Sequence, residues 1–321
     1  MTTGTTVAPP VGGGSQHHVL AIDLGGTKIA LATAAPDGTT LHRASLPTLA
    51  ERGANDVMRR LADAGRELTA RTTADGYGPL CAVGAASPGI VLDDRILLAP
   101  NNPGWDRLAL APTLRVAFGV DAVAVETDVK AAALAEARWG ALAGSACGIF
   151  LNLGTGLSVA TVVDGRVLRG AHGAAGEIGS GLLRAADLPL ADAGRAPLEE
   201  YVSGRALADR GSALLGRAVT TAEVFELAGE DRELAGLVDD ALDTLGVHLA
   251  NLAIALDPDT IAAGGGMTRA ADRVLPRLRR ILDRVVPFPP SLVTARFTQT
   301  APLTGAVIAA LDAAQRHGVA A

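Results

Sequence analysis

Lysine is almost absent from this chain: of its 28 basic residues only Lys28 and Lys130 are lysines. Aromatic residues make up 3% of the sequence, and there are two cysteines, Cys81 and Cys147. No basic run or stripe occurs and the formal net charge is -6, so neither nucleic acid nor a membrane is an expected partner. Two cysteines build no disulfide framework; set in apolar stretches, they read as buried free thiols in a reducing cytoplasm. No cationic start followed by an apolar segment opens the chain, so no secretory signal is expected. Residues 1–18, rich in Thr, Gly, Pro and Ser, read as a disordered tail. The most apolar window, residues 146–163, contains Asn152, Thr155 and three glycines, and reads as two central strands instead of a membrane span. Heavy Arg and Ala use reads as coding bias, against which the two lysines stand out.

What is present points to a large core. The 321 residues are 49% hydrophobic, enough for two domains or one large one. "AIDLGGTKIALATAAPDG" (21–38) is echoed by "FLNLGTGLSVATVVDG" (150–165): a strand, a polar residue (Asp23 or Asn152), a glycine turn, a second strand, then Asp-Gly, a hairpin-turn pair. The echo suggests a duplicated fold, although strand–glycine–strand patterns also recur by chance. Between and after the hairpins the chain alternates. A helix is expected over 52–72, with Val57, Leu61, Ala64 and Leu68 on one face, and strands over 80–92 and 120–127. Further helices are expected over 128–141, 231–256 and 304–318, and a strand over 260–266. Strands alternating with helices make this an α/β protein of two layered lobes.

Glycine turns between buried strands let backbone N–H groups point outward together and wrap an anion. Asp23 beside the first turn suits a Mg²⁺ ion or its water, and Lys28 supplies a point charge; alone, such a hairpin is also an ordinary tight turn with an exposed Asp. Asp128 stands where a strand gives way to a helix. It suits both a helix cap and a general base for a substrate hydroxyl attacking a γ-phosphate; a helix start is expected to keep its pKa low. Glu177, among small residues in "GAHGAAGEIGSG" (170–181), suits paired sugar hydroxyls as well as a solvated loop. Glu199 and Glu200 fit an ordinary first helical turn.

Together these pieces resemble the ROK family of sugar kinases and repressors, within the actin-like ATPase superfamily. The resemblance runs from Val19 to Asp312. It rests on "DLGGTK" (23–28), "SPGIV" (87–91), "NNPGW" (101–105), "ETDVKAAALAE" (126–136), "LGTG" (153–156), "GAAGEIG" (173–179), "LEEYVSG" (198–204) and "LDPDTIAAGGG" (256–266). It implies a two-lobed actin-like, ribonuclease H-like fold with a central cleft. One lobe is expected from 19–127 with 301–321, the other from 128–300. It further implies a cytoplasmic homodimer that uses ATP and Mg²⁺. By the same resemblance Asp128 is the catalytic base and Asp23 lies near the metal. Gly25, Gly26, Thr27, Lys28, Gly154, Thr155 and Gly156 hold phosphates, and Gly264, Gly265 and Gly266 lie beside the adenosine. Gly89, Asn102, Thr127, Glu177, Ser180 and Glu199 match sugar-binding positions. The expected reaction moves the γ-phosphate of ATP to a primary hydroxyl, usually the 6-OH of a hexose.

The chain departs from the family where the sugar is expected. Thr127 replaces the usual Asn before the base, and Lys130 another Asn two residues after it. Ser180 stands where "GEIGH" ends in His, and Ser158 where a glycine is common. The family's Cys-rich zinc loop is replaced by "LLRAADLPLADAGRAP" (182–197), without Cys or His, so no zinc is expected. Drift in a duplicate gene explains this; so does a pocket recut for an amino sugar such as kanosamine or a C7-cyclitol of antibiotic pathways. Glucose and fructose stay open. Lys130 reads as a contact to phosphate or substrate, or as a solvated helix lysine. A DNA-binding repressor is disfavoured because only 22 residues precede Asp23, and a non-catalytic sugar-binding protein because Asp128, Asp23 and both glycine turns are retained.

Overall fold

A computed structural model of the chain describes residues 16–99 and 103–319. The chain runs β1 (His18–Leu24), β2 (Lys28–Ala34), β3 (Thr40–Pro47), α1 (Ala54–Ala74), β4 (Leu80–Ser87), β5 (Ile90–Val91), β6 (Ile96–Leu97), α2 (Leu110–Phe118), β7 (Val123–Thr127) and α3 (Asp128–Trp139). It continues with β8 (Cys147–Leu153), β9 (Leu157–Val163), β10 (Arg166–Val167), α4 (Leu188–Asp192), α5 (Glu199–Val202), α6 (Gly204–Leu215), α7 (Thr221–Leu227) and α8 (Arg232–Leu256). β11 (Thr260–Gly264), α9 (Ala271–Val285), β12 (Ser291–Thr294) and α10 (Ala301–Arg316) complete it.

One sheet has the order β3-β2-β1-β4-β7, and a second has the order β10-β9-β8-β11-β12. In each, three antiparallel strands lead into two parallel ones. The sequence echo is therefore a topological one: β1–β2 and β8–β9 are the matching hairpins. Asp164 and Gly165 both have positive φ, 49° and 72°, as an Asp-Gly hairpin turn requires.

The described residues fall into two compact units, one within 1–135 and 300–321, the other within 136–299. The division lies inside α3, not between Thr127 and Asp128. The reason is close packing at the start of α3: Gly305 of α10 lies against the Ala131 carbonyl, so this part of the helix belongs with the first unit. In that unit α1 buries Val57, Leu61 and Leu68 against Leu20, Ile22 and Leu31 of the sheet. Its apolar residues recur at helical spacing, which is why the segment folds as a helix. In the second unit α8 is capped by Asp231, whose Oδ1 accepts from the Glu233 and Leu234 amides at 2.8 and 3.0 Å. Leu234, Val238, Leu242, Leu245 and Leu249 then line one buried face. The helix ends on Asp257 in a left-handed conformation, ahead of Pro258.

Two expectations need correction. His18 is part of β1 and fully buried, not part of a tail, because its Nδ1 reaches the Gly78 carbonyl at 2.8 Å. Cys81 and Cys147 are free thiols but only half-buried. Among the described residues no helix is long and apolar enough to cross a membrane.

Candidate functional site

The first unit places the turn 25–27 between β1 and β2. Gly25 donates its N–H to the Lys28 carbonyl at 3.0 Å, and a Cβ on Gly25 would come within 2.6 Å of that oxygen. The position therefore demands glycine. Thr48, fully buried, braces the turn from the end of β3: its Oγ1 donates to the Gly25 carbonyl at 2.6 Å and its N–H to the Thr27 carbonyl at 2.9 Å. Gly26, Thr27 and Lys28 are exposed. Among the described residues the amides of Gly26 and Thr27 have no acceptor, so they are available to an anion.

Asp23 ends β1 beside this turn. Burial and the neighbouring Asp128 carboxylate push its pKa up to about 6, against a smaller opposing pull from Lys28. Asp128 opens α3 at the end of the parallel strand β7, and its Oδ1 accepts from the Val129 amide at 2.7 Å. Its pKa is raised, contrary to the helix-start expectation. Loss of water outweighs the Val129 hydrogen bond and the Lys130 ammonium, which both pull the other way. Helix capping falls to Thr127 instead: its Oγ1 accepts from the Lys130 amide at 3.3 Å. Asp128 is thereby released from that duty. Lys130 is only 1% exposed, so it is not a solvated helix lysine. Gly89, at φ 82°, forms a turn whose missing side chain leaves room for the Leu97 carbonyl. Asn102 lies outside the described residues.

The second unit places the turn 154–156 between β8 and β9. The Gly154 amide donates to the Gly156 carbonyl at 3.1 Å. Gly204 and Arg205, at the start of α6, donate their amides to the Gly154 and Thr155 carbonyls at 3.0 and 3.2 Å. With the carbonyls held from behind, the Thr155 and Gly156 amides have no acceptor among the described residues. Asn152, the counterpart of Asp23, donates to Ser158 across the hairpin at 3.4 Å.

A pocket of about 720 Å³ opens beside this turn, lined by Gly154, Thr155, Arg205, Thr221, Phe225 and Met267 among others. Gly266 also lines it, whereas Gly264 packs on the Phe150 ring and Gly265, at φ 92°, lies under the Leu153 carbonyl. Of the three glycines expected beside the adenosine, one faces the pocket and two support it. Arg205, Thr221 and Phe225 escaped the sequence reading, because α6 and α7 carry no glycine motif; the capping box of Thr220 and Glu223 was the available signal.

Glu199 opens α5 and its Oε2 accepts from the Leu157 amide at 2.8 Å. Gly179 of "GEIG" packs against the Glu199 side chain and the Leu157 carbonyl. Glu177 is half-buried and Ser180 exposed, two residues before and one after Gly179. Of the three expected acceptor contacts in this unit, Glu199 is the one whose side chain reaches the end of the turn 154–156. In the loop 182–197 the buried Asp187 carboxylate accepts from the Leu183 and Arg184 amides at 3.1 and 3.0 Å. No group of three His, Cys, Asp or Glu that could hold a metal occurs among the described residues. A Mg²⁺ ion fits Asp23 nonetheless. Such an ion takes most of its ligands from phosphate and water, and a cation there relieves the buried Asp23 and the repulsion from Asp128.

Known proteins resemble this chain over most of its length. The chain is 27% identical to a glucokinase of Thermotoga maritima over 84% of this chain and 88% of that one. It is 28% identical to a kanosamine kinase of Amycolatopsis mediterranei over 85% of this chain and 88% of that one. The crystal structure of a ROK hexokinase from Thermus thermophilus superposes with a TM-score of 0.76 at 32% identity, covering 93% of this chain and 99% of that chain. The two-unit α/β fold is the actin-like ATPase fold of those kinases. A family model, too, matches residues 19–313, nearly everything between the first strand and the last helix, and the chain belongs to the ROK family.

Proposed function

We propose that this chain transfers the γ-phosphate of ATP to the primary hydroxyl of a hexose-like substrate. Phosphotransfer to a sugar follows from family membership. The finer reading rests on one observation: Asp128, which takes the Val129 amide while Thr127 takes that of Lys130, holds a desolvated carboxylate of raised pKa beside Asp23. A base whose pKa moves towards neutrality is better matched to taking a proton from an alcohol. Asp128 orients the acceptor hydroxyl and takes its proton as the new O–P bond forms and the bond from γ-phosphorus to the β–γ bridging oxygen breaks. Bound Mg²⁺, held through Asp23, neutralises phosphate charge. The amides of Thr155 and Gly156 bind phosphate oxygens and the 720 Å³ pocket beside them takes the nucleoside; the amides of Gly26 and Thr27 suit an anion in the same way. Glu177, Ser180 and Glu199 bind acceptor hydroxyls, with Gly89, Asn102 and Thr127 as further contacts carried over from the resemblance.

The acceptor we favour is an atypical sugar, an amino sugar or a C7-cyclitol of secondary metabolism. Two features support this: the family's imidazole and amide positions hold Ser180, Thr127 and the buried Lys130, and a kanosamine kinase is among the relatives. Glucose is the competing acceptor, favoured by the glucokinase relative. A homodimer in the cytoplasm, where ATP and reduced thiols coexist, completes the proposal. Coupled ADP release over hexoses, amino sugars and C7-cyclitols, with and without Mg²⁺, tests it. We expect Mg²⁺-dependent turnover highest on a substrate other than glucose. Glucose as the best acceptor refutes the specificity, and no release on any polyol refutes the kinase.

A further inference from the structure

The Glu199 carboxylate has two oxygens in different situations. Oε2 accepts from the Leu157 amide at 2.8 Å, at the residue where the turn 154–156 rejoins β9. Oε1 has no hydrogen-bond partner among the described residues, and Glu199 is only half-buried, so Oε1 can meet a ligand. The same side chain closes the space over Gly156, where a Cβ would lie 2.6 Å from Oε2, and over Gly179, where a Cβ would lie 3.0 Å from the Glu199 Cβ. Three motifs, "LGTG", "GEIG" and "LEEY", therefore converge on one carboxylate.

The turn is held at both ends. On one side the α6 amides of Gly204 and Arg205 hold the carbonyls of Gly154 and Thr155. On the other, Glu199 holds the amide that follows Gly156. If the Leu157 amide were not engaged, it would compete with Thr155 and Gly156 for the orientation of the turn. A charge-assisted hydrogen bond fixes its direction more strongly than a neutral one.

We infer that Glu199 is a positioning residue for the phosphate turn as well as a ligand for the acceptor, so that one carboxylate couples nucleotide binding to acceptor binding. Oε2 sets the Thr155 and Gly156 amides; Oε1 accepts from a substrate hydroxyl. A hydroxyl bound at Oε1 orders the carboxylate and with it the turn, so acceptor and nucleotide each tighten the other's binding by the same factor. The inference rests on the nucleotide and acceptor assignments proposed above.

The test is direct binding of a non-hydrolysable ATP analogue with Mg²⁺ to the full chain by calorimetry, without acceptor and then with the acceptor found by the ADP-release screen. Glu199→Ala is expected to weaken nucleotide binding in the absence of acceptor by about tenfold, the scale of one lost charge-assisted hydrogen bond. Glu199→Gln keeps a carbonyl oxygen for the Leu157 amide, so it is expected to restore nucleotide binding to within about threefold of the parent, while the acceptor KM stays raised. Gly156→Ala is a second variant on the same contact: it keeps the carboxylate but crowds Oε2, and combined with Glu199→Ala it is expected to add no loss of nucleotide affinity beyond that of either alone. Circular dichroism and Tm confirm that each variant is folded. Should Glu199→Ala misfold, Gly156→Ala and Glu199→Gln still decide the matter. Unchanged nucleotide affinity in the folded alanine variants, or equal losses in Glu199→Ala and Glu199→Gln, overturns the coupling. A parent protein that binds no nucleotide at all overturns the kinase assignment instead.

Discussion

The two glycine turns sit on the same scaffold and differ in where their carboxylate comes from. Each follows the first strand of a sheet of the same order, and in each a neighbouring element takes the turn's carbonyls: Thr48 in the first unit, the start of α6 in the second. Two amides are left free at each turn. The residue preceding the turn differs, however. In the first unit it is Asp23, a crowded carboxylate whose pKa is pushed up to about 6; in the second it is Asn152, neutral and matched to Ser158. In the second unit a carboxylate reaches the turn from α5 instead, where Glu199 Oε2 accepts from the Leu157 amide. The two turns thus share a strand order and free amides, and differ in the side chain that precedes them.

That contrast is open to disruption. Its strongest test is Asp128→Asn, which removes the base but keeps the shape. We expect kcat/KM to fall about 1,000-fold, within the usual range for losing a general base, with nucleotide affinity unchanged. Turnover near the parent's would show that the first cradle does not hold the chemistry.

Asp23→Asn converts the first turn's carboxylate into the second turn's amide. Because folding raises the Asp23 pKa from 3.8 to about 6, the folded state binds this proton more tightly than the unfolded one. The sign is therefore that stability is lost as pH rises through that window, and the ionised form costs up to about 3 kcal/mol at pH 7. The variant is expected to unfold at higher temperature than the parent at pH 7, with the gap closing below pH 4, while Mg²⁺-dependent turnover drops. A lower Tm at pH 7 contradicts the burial argument. In the parent, activity should fall as pH drops through about 6, where Asp23 takes up its proton.

Lys130→Met tests the buried cation beside Asp128. The ammonium lowers the Asp128 pKa against desolvation, so its removal is expected to move the acid limb of the kcat/KM profile to higher pH and to lower turnover at pH 7 by about tenfold. An unmoved profile with unchanged turnover removes Lys130 from the site.

Thr48→Val is the mildest. It deletes the Oγ1 bond to Gly25 but keeps the backbone bond to Thr27, at a cost of about 1 kcal/mol in stability and a few-fold in nucleotide affinity. Denaturant midpoints and calorimetry measure both. No change in either would mean that the first turn, unlike the second, needs no side-chain brace.

Much of this was legible in advance. Period-2 and period-3.6 patterns exposed β1, β2, β8, β9, α1 and α8, because each element's neighbours along the chain share its environment. β3 stayed hidden, being half-exposed along most of its length, as did α9, which carries Pro276 inside it. The glycine turns were visible because a strained backbone needs a particular residue at a particular place, as at Gly25. Thr48 was not, since a buried threonine after a strand looks like any other until its partner is known. Nor was Glu136, whose fully buried carboxylate accepts from the amide of nearby Ala141 and from those of Arg296 and Phe297, 160 and 161 positions away.

Residue types and spacings were therefore enough for the family, the repeated strand order and the identity of the acid that opens α3. Folding assigned the duties. It handed capping to Thr127 and not to Asp128, raised both unit-one acids towards neutrality, buried Lys130, and set Glu199 against the Leu157 amide. These outcomes depend on which groups lose water and which amide lies within hydrogen-bond reach of which oxygen. Desolvation and hydrogen-bond partnership arise between segments distant along the chain, and a local pattern of residues does not encode them.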